Sequence, residues 1–299
     1  MKRVLFRLSL LLLGALVVTA CRQAEPAPVE GPPEVVEGAL PDLGGREVTI
    51  AIENAYIPFN YVLLETGEAQ GWDYDFINEA CRRLNCTPAW QEFAWDTMIA
   101  SVAAGQFDMA ADGITITEER AKQVDFSEGY VAIEQRLLVR LDETRFEGPD
   151  DFAANPDLIL STQIGTTNAD IAVELVGDDR VRLFDDFGLV VQSLVAGDVD
   201  GVIIDETAGL GYLGANKDQL KLIGRSLSSD QLGFVFPKGS DLVEPFNLVI
   251  AQMKQDGFLE QINAKWFGPD FVLTYDEIGP GAYAEEAVAI GTADSPIKV

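Results

Sequence analysis

Residues 101–113, SVAAGQFDMAADG, and residues 193–206, SLVAGDVDGVIIDE, decide the fold. Each runs through the end of a helix, a glycine, two residues, an aspartate, an apolar run and a polar tip. The glycine, Gly105 or Gly197, ends its helix in a left-handed turn. One such stretch is an ordinary αβ connection. Two in one chain imply two similar lobes, each presenting a strand tip. In open parallel sheets the carboxyl ends of the strands face the crevice, so Asp112 and Asp205 are expected at a shared cleft.

The pattern continues on both sides. Residues 47–52, 88–93 and 107–111 read as strands, and 73–84 and 95–104 as helices. Residues 158–161, 181–184 and 199–204 read as strands in the second half. Helices fill 168–176 and the stretch from Asp185 and Asp186 to Ala196. This βαβ rhythm predicts a mainly parallel sheet in each half with helices on both faces. The extended stretches 132–141 and 231–236 are placed to link the lobes as hinge strands. The boundaries expected are 46–133 plus 233–269 for lobe 1 and 134–232 for lobe 2. Helices at 241–253 and 257–267 close lobe 1, and 270–299 reads as a loosely attached C-terminal tail.

The N-terminus has Lys2, Arg3 and Arg7, then an apolar run from Leu8 to Val18. That is the layout of a secretory signal peptide over 1–20, with too short an apolar run for a membrane span of about 20 residues. Val18-Thr19-Ala20-Cys21 resembles a bacterial lipobox, which implies a lipid on the Cys21 sulfur and cleavage before it. The alternative is an ordinary signal peptide with an incidental cysteine. Residues 21–45 are rich in proline and glutamate and read as a disordered tether. Export implies an oxidising compartment. Cys81 and Cys86 therefore either pair as a disulfide or stay as two buried thiols.

Composition excludes several functions. The chain has 21 basic and 49 acidic residues; removing 1–20 takes away three basic residues, and the net charge of −28 becomes −31. Phosphate backbones need a basic face, so no nucleic-acid partner is expected. The membrane is expected to be reached through the anchor alone. There is no histidine, which removes Ser-His and Cys-His catalysis and imidazole metal sites. No metal and no cofactor is expected.

Seven landmarks stand in order: Ala55 to Phe59 (AYIPF), Gly71 to Asp75 (GWDYD), Trp95 to Ile99 (WDTMI), Gly105 to Asp108 leading to Ile114 to Arg120 (ITITEER), Val124 to Ser127, Gly165 to Thr167, and Asp200 to Asp205. In this order and spacing the chain, over about residues 46–268, resembles the extracellular solute-binding proteins of polar amino-acid ABC importers, family 3. The resemblance implies a two-lobed α/β fold of the periplasmic-binding-protein type II. It also implies extracytoplasmic capture of an L-amino acid, an ABC permease as partner, a monomer, and no enzymatic activity.

The residues fit that ligand chemically. A zwitterion needs donors for its carboxylate and an anion for its ammonium. Arg120, early in a helix that Thr117 caps, supplies a planar fork for carboxylate; the bland reading is a surface arginine. Thr166, Thr167 and Asn168 open a helix whose N-terminal N–H groups favour an anion, or Thr166 is simply an N-cap. The resemblance implies that Asp205 pairs with the ammonium; its other reading is a cap on the helix starting at Glu206. Gly113 and Thr115 offer backbone groups and a hydroxyl from lobe 1.

Tyr56 and Trp95 match positions that wall the side-chain pocket, and Glu53 matches an often acidic one. Asp112 stands where the family frequently has Ser or Asn. Two acids with two aromatics suit an arginine- or lysine-like ligand through ion pairing and cation–π contact, in preference to a neutral polar one. Against this, Glu53 has the alternative of holding Arg120, and Asp112 that of capping a turn. The rival functions are an enzyme on the same scaffold, such as a cyclohexadienyl-type dehydratase, and a sensing module for a membrane receptor.

Overall fold

The computed structural model describes residues 39–278 apart from 217, 269 and 274. The expected signal peptide, Cys21 and residues 279–299 of the tail lie outside the described residues.

The chain starts with β1 (Arg46–Ile52), then three short strands β2 (Ala55–Tyr56), β3 (Asn60–Val62) and β4 (Ala69–Gln70). It continues through α1 (Trp72–Leu84), β5 (Cys86–Glu92), α2 (Trp95–Ala103), β6 (Met109–Ala110) and β7 (Val124–Phe126). β8 (Val131–Arg140) enters the second sheet, followed by α3 (Pro149–Ala154), β9 (Leu160–Gln163), α4 (Thr167–Val176), β10 (Val181–Phe184), α5 (Phe187–Ala196), β11 (Gly201–Asp205), α6 (Glu206–Ala215) and β12 (Leu220–Leu232). β13 (Val235–Pro237) returns to the first sheet, and α7 (Val243–Asp256), α8 (Phe258–Phe267) and the short α9 (Tyr275–Ile278) follow.

The two large sheets have matching designs. The first runs β5-β1-β6-β13-β7 and the second β10-β9-β11-β8-β12. Each holds three neighbouring parallel strands, β5, β1 and β6 in one and β10, β9 and β11 in the other. β13 and β8, strands at the two crossings between sheets, lie antiparallel to them. The expected first hinge stretch is a full strand of the second sheet. The second is divided between the end of β12 and β13, because Gly233 and Phe234 break the extended run.

Residues 101–113 and 193–206 have the same internal logic. Gly105 (φ 74) and Gly197 (φ 83) leave their helices in the left-handed region. Three residues later, Asp108 accepts from the Thr49 N–H at 2.9 Å and Asp200 from the Ile159 N–H at 2.9 Å. Each aspartate thereby ties the coming strand to its parallel neighbour. β11 then ends at Asp205, and Asp112 stands two residues past the end of β6.

Two expectations change at the ends of the described region. Residues 40–45, assigned by composition to the tether, are packed. Leu40 and Leu43 lie against the core, and the Leu43 and Gly45 N–H groups donate to the carbonyls of Leu84 and Asn85. The described part of the tail is not loose either. Leu273 is buried, Phe271 packs on Tyr61 and Trp266, and the Leu64 N–H donates to the Glu277 carbonyl at 2.9 Å. Both stretches have too few apolar residues, Leu40 and Leu43 in one and the run Phe271 to Leu273 in the other, for a periodic signal. Cys81 and Cys86 are joined as a disulfide: Asn85 (φ 53) ends α1 in the left-handed region and folds the chain back, leaving the Cα atoms 4.5 Å apart.

Candidate functional site

The strand tips and helix starts of the two sheets meet at one cavity, about 310 Å³ including its open mouth. All eleven residues singled out from the sequence line it: Glu53, Tyr56, Trp95, Asp112, Gly113, Thr115 and Arg120 from the first half, and Thr166, Thr167, Asn168 and Asp205 from the second. Gln163 and Phe187 complete the lining and were not foreseen. Gln163 is the last residue of β9, two positions beyond the expected strand end. Phe187 is the first residue of α5.

Arg120 is not on a regular helix. Thr117 Oγ1 accepts its N–H at 3.1 Å, but the turn is a short 3₁₀ segment, Arg120–Lys122. Its guanidinium donates to the Thr115 carbonyl at 2.9 Å and to the Gly165 carbonyl at 3.2 Å, so it touches both lobes. The same group lies 5.3 Å from the centre of the Trp95 ring. Among the described residues no carboxylate holds it. Burial pulls its pKa down, but an arginine stays charged, so a half-buried cation faces the cavity without an ion pair.

Asp205 is the N-cap position of α6 but makes no side-chain cap bond. Its carboxylate instead accepts from Tyr56 Oη and, at 3.0 Å, from Asn168 Nδ2. The capping alternative is therefore excluded by geometry. Burial pushes its pKa up, and these two donors oppose the shift. Thr166 does cap α4, accepting from the Ala169 N–H at 3.1 Å, which leaves Thr167 free to turn inward. Thr167 Oγ1 lies 3.4 Å from Thr115 Oγ1 across the cleft, and Gln135 Nε2 donates to it at 2.9 Å from β8.

Two further carboxyl groups line the cavity, Glu53 and Asp112. Glu53 does not hold Arg120. It accepts from Gln163 Nε2 at 2.7 Å and from the Trp95 N–H at the start of α2. Asp112 Oδ1 accepts from Asn60 Nδ2 at 2.7 Å and from the Glu53 N–H at 3.3 Å, so it braces a turn and lines the cavity at once. Burial, then the neighbouring Asp112 charge, pushes Glu53 well above the usual carboxylate range, and burial raises Asp112 as well. The aromatic walls offer less cation–π surface than expected. Tyr56 is stacked on Phe59 at 5.2 Å and tilted against Phe187 at 5.5 Å, while Trp95 already carries Arg120.

The chain has similar counterparts among known proteins. Residues 48–269 match the sequence profile described as "Bacterial extracellular solute-binding proteins, family 3". The chain belongs to that family. Among similar family members, the L-cystine-binding protein TcyJ of Escherichia coli K12 is 28% identical over 237 residues, covering 78% of this chain and 88% of that protein. Two solved structures are similar at the level of the whole fold. One is an ancestral arginine-binding protein bound to glutamine, with a TM-score of 0.69 and 29% identity, covering 74% of this chain and 98% of the other. The second is ArtJ, an arginine-, lysine-, histidine-binding protein from Geobacillus stearothermophilus, with a TM-score of 0.69 and 26% identity, covering 77% and 98%. The family and these structures establish the two-lobed periplasmic-binding-protein fold. The family is one of extracellular solute-binding proteins, and the three similar proteins are each named for binding amino acids.

Proposed function

We propose that this protein captures an L-amino acid with a cationic side chain, arginine- or lysine-like, and delivers it to an ABC-type permease. One observation carries the reading: the cavity lining combines Arg120 with three carboxyl groups, Glu53, Asp112 and Asp205. Arg120, with Thr115 and Thr167 beside it, would take the ligand carboxylate. Asp205 would take the ammonium. Glu53 and Asp112 would take the side-chain cation, with Gln163 between the lobes. Among the described residues Arg120 is the one basic residue lining the cavity, so a second carboxylate on the ligand would meet acids. That disfavours acidic amino acids. It also disfavours cystine, whose second zwitterionic end carries such a carboxylate, although the relative TcyJ is named for it.

On this reading the site residues hold their ligand and do no chemistry. Lobe 1 would be 46–133 plus 233–269 and lobe 2 134–232, closing on the ligand as a monomer. Cys21 would carry the lipid anchor, with the domain outside the cytoplasmic membrane. Titration calorimetry with arginine, lysine, glutamine and cystine tests the ligand. Arginine or lysine should bind at least about tenfold more tightly than glutamine, a difference of about 1.4 kcal/mol. Tightest binding of cystine or glutamine would sink the cationic preference, and normal arginine affinity in Arg120→Ala would sink the carboxylate fork.

A further inference from the structure

The sequence landmark Gly71-Trp72-Asp73-Tyr74-Asp75 does not reach the cavity, yet the structure connects it to the cavity through a single amide. Gly71 has φ 142, and a Cβ there would stand 2.1 Å from the Phe59 carbonyl oxygen. Glycine therefore lets the start of α1 lie against β3. The Trp72 N–H donates to the Pro58 carbonyl at 3.1 Å and the Asp73 N–H to the Phe59 carbonyl at 2.9 Å. This brings the Asp73 carboxyl to Asn60. Asn60 Nδ2 donates to Asp73 Oδ2 at 3.0 Å and to Asp112 Oδ1 at 2.7 Å, spending both amide hydrogens on carboxyl groups. Turning the amide over would set its carbonyl against both acids, so its orientation is fixed by charge. All three side chains are buried.

We propose that Asn60 is a positioning residue for ligand specificity: without touching the ligand, its amide, braced by Asp73, holds Asp112 as the anion that receives the ligand's side-chain cation. This rests on the cationic reading of the cleft, but the hold on Asp112 is measurable with no ligand present.

The surroundings of Asp112 leave the amide a decisive share. The groups that feel its charge are Glu53 from the loop after β1, Tyr56 from β2, Asp73 and Tyr74 from α1, and Tyr130 ahead of β8. None is basic. Burial raises Asp112 to about 7, and the Asn60 hydrogen bond is the leading influence in the other direction. Asp73 differs from it. Burial pushes Asp73 well above the usual range, and among the described residues its Oδ1, Asn60 Oδ1 and the Tyr130 hydroxyl have no hydrogen-bond partner. Asp73 takes the second amide hydrogen and braces it, and Asp112, which lines the cavity, is the group whose charge the amide preserves.

The test compares wild type with Asn60→Leu, which keeps the volume and removes the donor, and with the near-isosteric Asn60→Asp in case the leucine does not fold. Carbon NMR of aspartate carboxyls follows Asp112 in the ligand-free protein from about pH 5 to about pH 10. Calorimetry measures arginine and glutamine over the same range. The expected result is an Asp112 midpoint raised by about one unit or more. Arginine affinity should fall about tenfold or more at neutral pH and recover above the new midpoint, with a smaller change for glutamine. An unmoved Asp112 midpoint in either folded variant overturns the proposal, as does a moved midpoint with unchanged arginine affinity. Equal loss for both ligands at every pH marks Asn60 as merely structural and also overturns it. If wild type binds neither arginine nor lysine, the cationic reading fails separately, and the titration still decides whether Asn60 holds Asp112.

Discussion

Gly113 shows how tightly single residues determine the cleft. It sits at φ 56, and a Cβ there would lie 2.5 Å from Tyr56 Cε1. The Tyr56 hydroxyl in turn reaches Asp205 in the other lobe. Gly113→Ala should therefore displace Tyr56, cost about 1–3 kcal/mol in chemical denaturation, and weaken ligand binding by calorimetry. The acids make a second expectation. Glu53, Asp73, Asp112, Asp186 and Asp205 are all raised by burial above the values near 4 of an unfolded chain. The folded state therefore holds more protons above about pH 4, and its stability falls as pH rises through the raised values. Ligand-free protein should unfold at a lower temperature at pH 8 than at pH 5. Glu53→Gln or Asp112→Asn should flatten that slope, by up to about 1.4 kcal/mol per pH unit for each proton concerned. A stability that instead rises steadily across this window would refute the charge state assigned to the pocket. Much of this was readable in the sequence, because Arg120, Asp205 and Glu53 are of types that chemistry demands. Asn60 was not, since a buried amide between two acids looks in sequence like any strand residue.

At the scale of elements, the helices were legible from their caps and stops. Asp186 accepts from the Leu189 N–H at 2.8 Å at the start of α5, and Gly197 ends it. β9 was placed two residues early, since the apolar run Leu158-Ile159-Leu160 suggests a strand from its first residue. In the structure the Leu158 N–H donates to the Asn155 carbonyl in a turn, and the strand starts at Leu160. That shift hid Gln163 at the strand tip. The helix expected at Arg120 failed for a different reason: the chain must turn sharply into β7 at Val124, leaving room for one 3₁₀ turn. The Cys81–Cys86 bridge joins the end of α1 to β5 across a short loop, on the side of lobe 1 away from the cavity lining. Replacing both cysteines by alanine should lower the melting temperature by a few degrees, consistent with about 2 kcal/mol or less for so short a loop. Ligand affinity should stay unchanged; an affinity loss would show that the α1 end is coupled to the cleft.

For the whole molecule, charge and closure dominate. The chain carries a formal net charge of −28 with no histidine, so a cationic ligand approaches down a negative potential. Its association rate should fall steeply from low to physiological salt, while that of glutamine should change little; equal salt dependence would remove steering from the account. The lobes also meet through contacts that need no ligand. Tyr212 Oη donates to the Ala55 carbonyl at 3.0 Å, and Gly211 gives Ile57 room, since a Cβ there would lie 2.7 Å from the isoleucine methyl. The match of two sheet designs was visible from two short stretches of sequence. The docking of α6 on lobe 1 was not, because Gly209, Gly211 and Gly214 read as a weak helix and not as a contact face.

The segment after α8 bears on that contact. It is held to lobe 1 at Leu64 and Tyr61, while the Leu273 backbone comes to 3.8 Å from where a Gly214 side chain would stand on lobe 2. Val272, next to it, is 64% exposed. The seam between the lobes therefore has an outward-facing position at its edge. A small fluorophore attached there would sit against α6 when the lobes are together and in bulk solvent when they part. The protein thus carries a natural place for an optical readout of ligand uptake, remote from every residue that would touch the ligand.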